Sequence, residues 1–509
     1  MICLICNEKN HHYLYMLHGN ALWQCEGCGF ISSLSDPAED HDTWGNKHNF
    51  YSLYAQMEGK TEVEAFIRYL DTLKAYDPSA SRIMLVAPFN QIFSTIAQKK
   101  GMEIVQNFTI SDFEKKTIET VVVDAVIFLY QLEKSNAPQT TLQKAYDLLK
   151  SKGTLLIIAP SLDSRSARFF GDAWTEWRPE NKFYFDDTTI QSLLWKCSFN
   201  EIRLEKDLRW YSLAHINDRA SSFPKTWLTR SISLAYRLLP SSLHKIYFRL
   251  PTSGRVVIAK KSERHEEQIL SIVIPVFNEG TTFPELIEKL VAKQIGGMNK
   301  EIIIVESNSS DNSRQLVMGY KDRPEIKIIL QDKARGKGNA VREGFEHATG
   351  DILLIQDADL EYDLNDYEAL LEPVATFKQP FVLGSRHGGR WKMRHFNDQE
   401  HLSTYFNFGH RLFTALINIL YGQRLKDPFT MFKVFRRDCL HNLKFECNRF
   451  DFDFELVIKL IRKGYTPFEI PVNYNSRSFK EGKKVNMIRD PFTWLKASFK
   501  YRFVKITKD

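Results

Sequence analysis

Apolar residues in this chain fall into short, nearly continuous runs, separated by longer stretches in which they recur every third or fourth position. "RIMLVA" (82–87), "VVVDAVIFLY" (121–130), "GTLLIIAP" (153–160) and "RVVIAKK" (255–261) are runs of the first kind and read as strands. "TEVEAFIRYLDTLKAY" (61–76) and "QTTLQKAYDLLKSK" (139–152) are of the second kind and read as amphipathic helices. Strands alternating with helices predict a mainly parallel, doubly wound sheet. The pattern stops at "KKSERHEEQ" (260–268), a charged, apolar-poor stretch that reads as a linker, and then restarts. "ILSIVIPVFNE" (269–279), "KEIIIVESNSSDNS" (300–313) and "ILLIQDADLEYD" (352–363) open on Ile, Val and Leu, as suits a parallel sheet buried on both faces. Each run ends in a polar loop, and ligands in open α/β sheets bind beyond those carboxyl ends. The expected architecture is therefore α/β in three parts: a small cysteine-rich segment at 1–44, a Rossmann-like domain at 45–262 and a second α/β domain at 263–509.

Composition narrows the class. The chain has 509 residues, 43% hydrophobic and 26% charged, as in soluble globular proteins of several domains. Lys and Arg number 69 against 62 Asp and Glu, a net charge of +7, which permits an anionic substrate or a membrane surface. No apolar run is long enough to span a bilayer. The start, "MICLICNEKNHH", lacks the basic and apolar regions of a secretion signal. The expected location is cytoplasmic, with peripheral docking on the cytoplasmic membrane face, and no nucleic-acid partner is expected.

Cysteine spacing adds a metal site. Cys3 and Cys6 form one Cys-x-x-Cys knuckle, and Cys25 and Cys28 form another. Two such pairs fit a four-thiolate zinc ribbon, in which the ion is coordinatively full and hence structural. Without an export signal, Cys197, Cys439 and Cys447 are expected to be reduced thiols.

The ribbon followed by "VVVDAVIFLYQLE" and "LLKSKGTLLIIAPSLDSRSARFFGDAWTEW" resembles the class I methyltransferases that use S-adenosylmethionine and carry an amino-terminal zinc knuckle. The cofactor positions depart from that family. The loop "LVAPFNQIFSTIAQ" (85–98) has neither the glycines nor the acid expected there. Gln106 and Asn107 stand where an acid would hold the ribose, and Leu132-Glu133-Lys134 replaces Leu-Glu-His. The expectation is a retained fold that does not bind S-adenosylmethionine. Residues 224–250 are basic, aromatic and helix-patterned, which fits a helical cap on the sheet or an interfacial segment on anionic lipid, and 491–508 is a second basic, aromatic segment that could dock there.

The second half carries, in order, "VIPVFNE", "VESNSSDNS", "RGKGNAVREGF", "DADLE" and "GSR". Together these resemble family 2 glycosyltransferases of the GT-A fold, and within them the polyprenyl-phosphate sugar synthases. The resemblance implies a nucleotide-sugar donor and a Mg²⁺ or Mn²⁺ ion that neutralises the leaving diphosphate. Asp359 is then a direct metal ligand, Glu361 a further one, and Asp357 lies near the nucleotide ribose or the metal. Alternate residues of an extended segment share one face, and hard oxygens suit these ions. Asp363 reads as a solvated acid. Pro275, Asn278, Glu279 and Glu306 correspond to nucleoside-binding positions, while Ser307 replaces a second acid common there. Lys337, within Arg335-Gly336-Lys337-Gly338, falls on the nucleotide side. Arg386 is a candidate to hold phosphate, since guanidinium is planar and permanently charged. Arg477, Lys483 and Lys484 of "YNSRSFKEGKKVN" (474–486) correspond to a basic loop that closes over the diphosphate. Asp311 reads as the cap of the helix that follows it.

A lipid phosphate acceptor needs no base, whereas a hydroxyl acceptor needs a carboxylate. Asp427 is the first candidate for that base, ahead of Asp453 and Glu455. The leading expectation is a metal-dependent, inverting glycosyltransferase acting on a polyprenyl phosphate or on a lipid-linked or cell-surface glycan. The alternatives are a bifunctional methyl- and glycosyltransferase and an inactive scaffold in a glycan-assembly complex.

Overall fold

The computed structural model describes residues 2–17, 20–33, 59–88, 91–118, 121–174, 176–214, 216–217, 227–240, 243–244, 246–387, 400–476 and 489–508. It divides into two compact units, Met1–Glu263 and Arg264–Asp509.

The first unit is built from β1 (His11–Leu17), β2 (Asn20–Cys25), β3 (Ile31–Ser33), α1 (Gly59–Tyr76), β4 (Arg82–Val86), α2 (Gln91–Lys99), β5 (Glu103–Phe108) and β6 (Val123–Leu129). These are followed by α3 (Pro138–Leu148), β7 (Leu149–Pro160), β8 (Phe183–Tyr184), α4 (Asp187–Lys196), β9 (Phe199–Ser212), α5 (Trp227–Leu238) and β10 (Tyr247–Lys261). Two sheets result. The small one has the order β1-β2-β3-β8, so a strand from far downstream completes the cysteine-rich segment. Leu22, Ile31, Trp174 and Tyr184 share its apolar centre. The larger sheet has the order β5-β4-β6-β7-β10-β9, parallel from β5 to β7 and antiparallel beyond. Amphipathic α1 and α2 bury Leu70, Leu73, Phe93 and Ala97 against Ile83, Leu85 and Ile127. Each Leu, Ile or Phe among them contributes about 1.5–3 kcal/mol relative to exposure.

The carboxyl end of this sheet holds a polar cluster. Tyr130 follows β6 directly, and its hydroxyl donates to Asp207 at 3.0 Å. Asp207 is fully buried and also accepts from Tyr69, Arg209 and Thr252 while pairing with Arg68. A Cβ at position 254 would meet the Tyr130 oxygen at 2.9 Å, so Gly254 keeps that approach open. Nearby, Glu133 is buried and burial pushes its carboxyl up to about 7. The 224–250 segment is not a buried cap over its described part. Leu234 and Leu238 of α5 are 59% and 76% exposed.

The second unit contains β11 (Gln268–Val276), α6 (Phe283–Ala292), β12 (Met298–Glu306), β13 (Ile326–Leu330), α7 (Lys337–His347), β14 (Ile352–Ile355), α8 (Tyr367–Ala375) and β15 (Phe381–Ser385). It continues with α9 (Glu400–Tyr421), β16 (Lys433–Arg436), α10 (Phe452–Arg462), β17 (Phe468–Pro471) and α11 (Arg489–Phe503). Seven strands form one mixed sheet, β13-β12-β11-β14-β16-β15-β17. Only β16 runs antiparallel to its neighbours. The apolar runs seen in the sequence are its centre: every residue from Ile302 to Val305 and from Ile352 to Ile355 is fully buried. Such strands have no exposed face, which is why they show no alternation. No helix among the described residues is long and apolar enough to cross a membrane.

Candidate active site

The carboxyl ends of β11, β12, β14 and β15 open into one cavity of about 1140 Å³. Pro275 and Glu279 line it from the end of β11, Lys337 from the first turn of α7, and Asp357, Asp359 and Glu361 from the loop after β14. Arg386, the first residue after β15, lines it as well.

The acids are held in different ways. Asp357 pairs with Lys337. Burial alone would lower the Lys337 pKa, but Asp357 and Asp453 outweigh it and raise it. Asp359 is 6% exposed and accepts a hydrogen bond from the Glu361 amide at 3.1 Å. Glu361 accepts from the Tyr474 hydroxyl at 2.7 Å. Tyr474 is thereby tied to the acidic loop, and Tyr362 and Tyr474 form an isolated antiparallel bridge. Among the described residues these three acids do not form a single close ligand cluster. Asp359 and Glu361 offer hard carboxylate oxygens to one space, and Mg²⁺ needs one or two carboxylates when a substrate diphosphate completes its shell. The donor set fits such an ion.

Arg386 is nearly buried and is clamped by Asp427, its Nε and Nη2 both donating at 2.7 Å. The Asp427 carboxylate also accepts from the Arg386 amide at 2.9 Å. Burial by itself would push Asp427 up, but the guanidinium outweighs it and holds the carboxyl well below the usual range. This corrects the expectation that Asp427 is a base. A fully buried carboxylate whose two oxygens are occupied by Arg386 holds that arginine in place and is poorly basic. Of the other base candidates, Asp453 lines the cavity and pairs with buried Lys433 at 2.9 Å. Glu455 instead accepts from the Glu446 and Cys447 amides and pairs with Lys459, a structural role.

Two donor-binding candidates lie beside the cavity and not in its lining. Glu306 is fully buried and does not line the cavity; it accepts from the Ser309 amide at 2.7 Å and pairs with Arg314 at 2.5 Å. Asn278, with φ of 51°, exchanges hydrogen bonds with Ser310. Both residues shape the loop beside the cavity, and Ser307 is the residue of "VESNS" that faces it. Asp311 bridges the same loops, accepting from the Ser313 and Gly280 amides. Asp363 is engaged locally, accepting from the Asn365 amide at 2.9 Å.

The glycines of "RGKG" serve packing. Gly336 has φ of 104°, and a Cβ there would meet the Asn448 carbonyl oxygen at 2.4 Å. A Cβ on Gly338 would meet the Phe452 Cβ at the same 2.4 Å. Absent side chains let the start of α7, with Lys337, sit against the segment leading into α10.

Arg477, Lys483 and Lys484 lie outside the described residues. The residues flanking that stretch, Tyr474 and Arg489, both line the cavity. The cavity's apolar wall is made by α9, which the sequence reading did not single out, and by α11, with Phe429 and Phe454. Trp494 stacks on Phe454 there and Phe413 meets both edge to face, with ring centroids 5.5–5.7 Å apart. The signal was present: Tyr405, Phe408, Leu412 and Leu416 recur at helical spacing.

In the first unit, the thiols of Cys3, Cys6, Cys25 and Cys28 lie within 4.8 Å of one another. Each knuckle makes the same turn. The Cys3 carbonyl accepts from Asn7 and the Cys25 carbonyl from Gly29, and Asn7 and Gly29 both have positive φ. Lys196 of α4 donates to the Leu4 and Ile5 carbonyls and holds the first knuckle.

Residues 271–444 match the family model for glycosyl transferase family 2. An undecaprenyl-phosphate 4-deoxy-4-formamido-L-arabinose transferase of Enterobacter sp. (strain 638) is 30% identical over 236 residues, covering 44% of this chain and 67% of that protein. A dolichyl-phosphate beta-glucosyltransferase of Trichomonas vaginalis is 27% identical over 236 residues, covering 44% and 68%. Among solved structures, glucosyl-3-phosphoglycerate synthase from Mycobacterium tuberculosis, in complex with Mn²⁺, uridine diphosphate and glucosyl-3-phosphoglycerate, is 18% identical. It covers 47% of this chain and 81% of that one, with a TM-score of 0.35. A SAM-dependent methyltransferase from Thermotoga maritima is 16% identical, covering 39% and 89%, with a TM-score of 0.24.

Proposed function

The chain belongs to glycosyl transferase family 2 and is a glycosyltransferase; from that premise we propose that it moves a sugar from a nucleotide diphosphate to a polyprenyl phosphate, with inversion at the anomeric carbon. One observation carries this reading. The cavity joins a polar end, with Lys337, Asp359, Glu361 and Arg386, to an aromatic trough between α9 and α11. A phosphate head on an apolar chain matches both ends. The two named glycosyltransferase relatives carry polyprenyl phosphates in their names.

In this reading the unit has the GT-A fold, and Pro275, Glu279 and Ser307 face the nucleoside side of the donor. Arg386, held rigid by Asp427, seats the acceptor phosphate. A phosphate oxygen attacks the anomeric carbon as the bond from that carbon to the diphosphate oxygen breaks. A new sugar–phosphate ester forms and a nucleoside diphosphate leaves. The attacking oxygen is already anionic, so no base is required. Asp359 and Glu361 would hold Mg²⁺ or Mn²⁺, which when bound neutralises charge on the departing diphosphate. Lys337 adds positive charge on that side. The test is transfer of labelled sugar to short-chain polyprenyl phosphate, compared with hydroxyl-terminated glycans. Label is expected on the lipid phosphate. Label confined to glycan hydroxyls would refute the reading and make Asp453 the carboxylate to examine.

The first unit is assigned a structural role. Four thiols this close repel once ionised, and a tetrahedral Zn²⁺ resolves that repulsion. The Asp207 cluster sits at the sheet end where a cofactor would approach, which supports a methyltransferase-like fold without S-adenosylmethionine. Freshly purified, unchelated protein is expected to contain about one zinc per chain. Cys25→Ser should lose it and loosen the β1–β3 segment. A metal analysis without zinc would end this assignment.

A further inference from the structure

α9 and α11 each expose a run of large apolar side chains along most of their length. On α9 the exposed stripe is Tyr405, Phe408, Leu412 and Ile419, the last 80% exposed. On α11 it is Phe492, Leu495, Phe499 and Phe503, the last 81% exposed. The spacing in both helices is that of a single face. The helices are fixed to each other: the Tyr421 hydroxyl donates to the Ser498 carbonyl at 2.6 Å, and Phe413 meets Trp494 edge to face. Members of both stripes also line the cavity, so this face surrounds its apolar mouth.

The charge around this face is mainly positive, with Glu446 beside Lys500 as an exception. Residues 489–508 contain six Lys and Arg against one acid, Asp490, which is buried beside Arg449. Residues 404–426 contain Arg411, Arg424 and Lys426 and no acid. All three of those cations are exposed, as are Lys496, Arg502 and Lys505. A second copy of the same face would bring like charges together. An anionic lipid surface complements both the apolar stripe and its basic fringe, because inserted apolar area and headgroup attraction act together.

We propose that α9 and α11 form a membrane-docking face that seats in anionic lipid around the mouth of the cavity. The proposal rests on the lipid-phosphate reading of the acceptor and adds how the protein meets the bilayer that carries it. The acceptor's chain passes from the lipid between the two helices, and its phosphate reaches Arg386 without leaving the interface.

Full-length protein is tested by co-sedimentation with vesicles of phosphatidylcholine alone or mixed with phosphatidylglycerol. Binding is expected to the anionic vesicles and to weaken with salt. Ile419→Ser/Phe503→Ser alters two exposed side chains outside the cavity. It should reduce vesicle binding by at least about tenfold, since both lose apolar insertion. Transfer to a short-chain acceptor in solution should be unchanged, while transfer to a long-chain acceptor in vesicles falls in parallel with binding. If the wild-type protein sediments but transfers to neither acceptor, the functional reading fails and the docking face stands. The docking proposal is overturned if the double variant sediments like wild type. It is also overturned if Leu234→Ser/Leu238→Ser in α5 removes binding instead. A third refuting result is a wild-type dimer that ignores vesicles and dissociates in the Ile419/Phe503 variant.

Discussion

Asp359→Ala is expected to reduce sugar transfer by about a thousandfold or more, equivalent to roughly 4 kcal/mol of transition-state stabilisation. The residue lines the cavity, and its carboxylate is aimed by a short loop that closes on the Glu361 amide. Losing that hydrogen bond costs only about 1 kcal/mol of stability, so the variant should stay folded. The expected pattern is a normal melting curve, a collapsed kcat and a lost response to added Mg²⁺ or Mn²⁺. Wild-type turnover in Asp359→Ala would show that the ion, if one is used, is held elsewhere. Asp357→Ala should be nearly as damaging for a different reason: it leaves Lys337 without the carboxylate that raises its pKa.

Asp427→Ala is expected to destabilise the second unit by about 3–5 kcal/mol, because it strands the Arg386 guanidinium in a buried site. Acceptor KM should rise with it, since Arg386 loses its fixed position. The companion Arg386→Ala/Asp427→Ala removes the stranded charge and should recover part of the stability. A thermodynamic cycle would therefore show strong coupling between the two. Independent, additive effects would refute the anchoring role. The same pair sets a pH dependence. The folded Asp427 pKa lies below its unfolded value of about 3.9, so its contribution is present at neutral pH. That contribution is lost only as pH falls below the unfolded value toward the depressed one.

Much of this molecule follows from its sequence. The buried strands were legible because burial on both faces leaves continuous Ile, Val and Leu, as in Ile302–Val305 and Ile352–Ile355. The paired cysteine knuckles and the acids of "DADLE" were legible because each is a local motif, complete within one turn or loop. Tertiary structure alone decided the rest. Whether an acid faces a cavity or an arginine depends on residues distant in the chain. Asp427 meets Arg386 across 41 positions. The glycines of "RGKG" stand in a stretch read as facing the nucleotide, but Asn448 and Phe452, more than a hundred residues on, explain them. The apolar trough is likewise an assembly. Each helix carries its stripe in sequence, but only packing of α9 on α11 turns two stripes into a channel beside the acids. Local patterns determine which elements form; the partners of a buried charge, and the shape between two helices, exist only once distant segments meet.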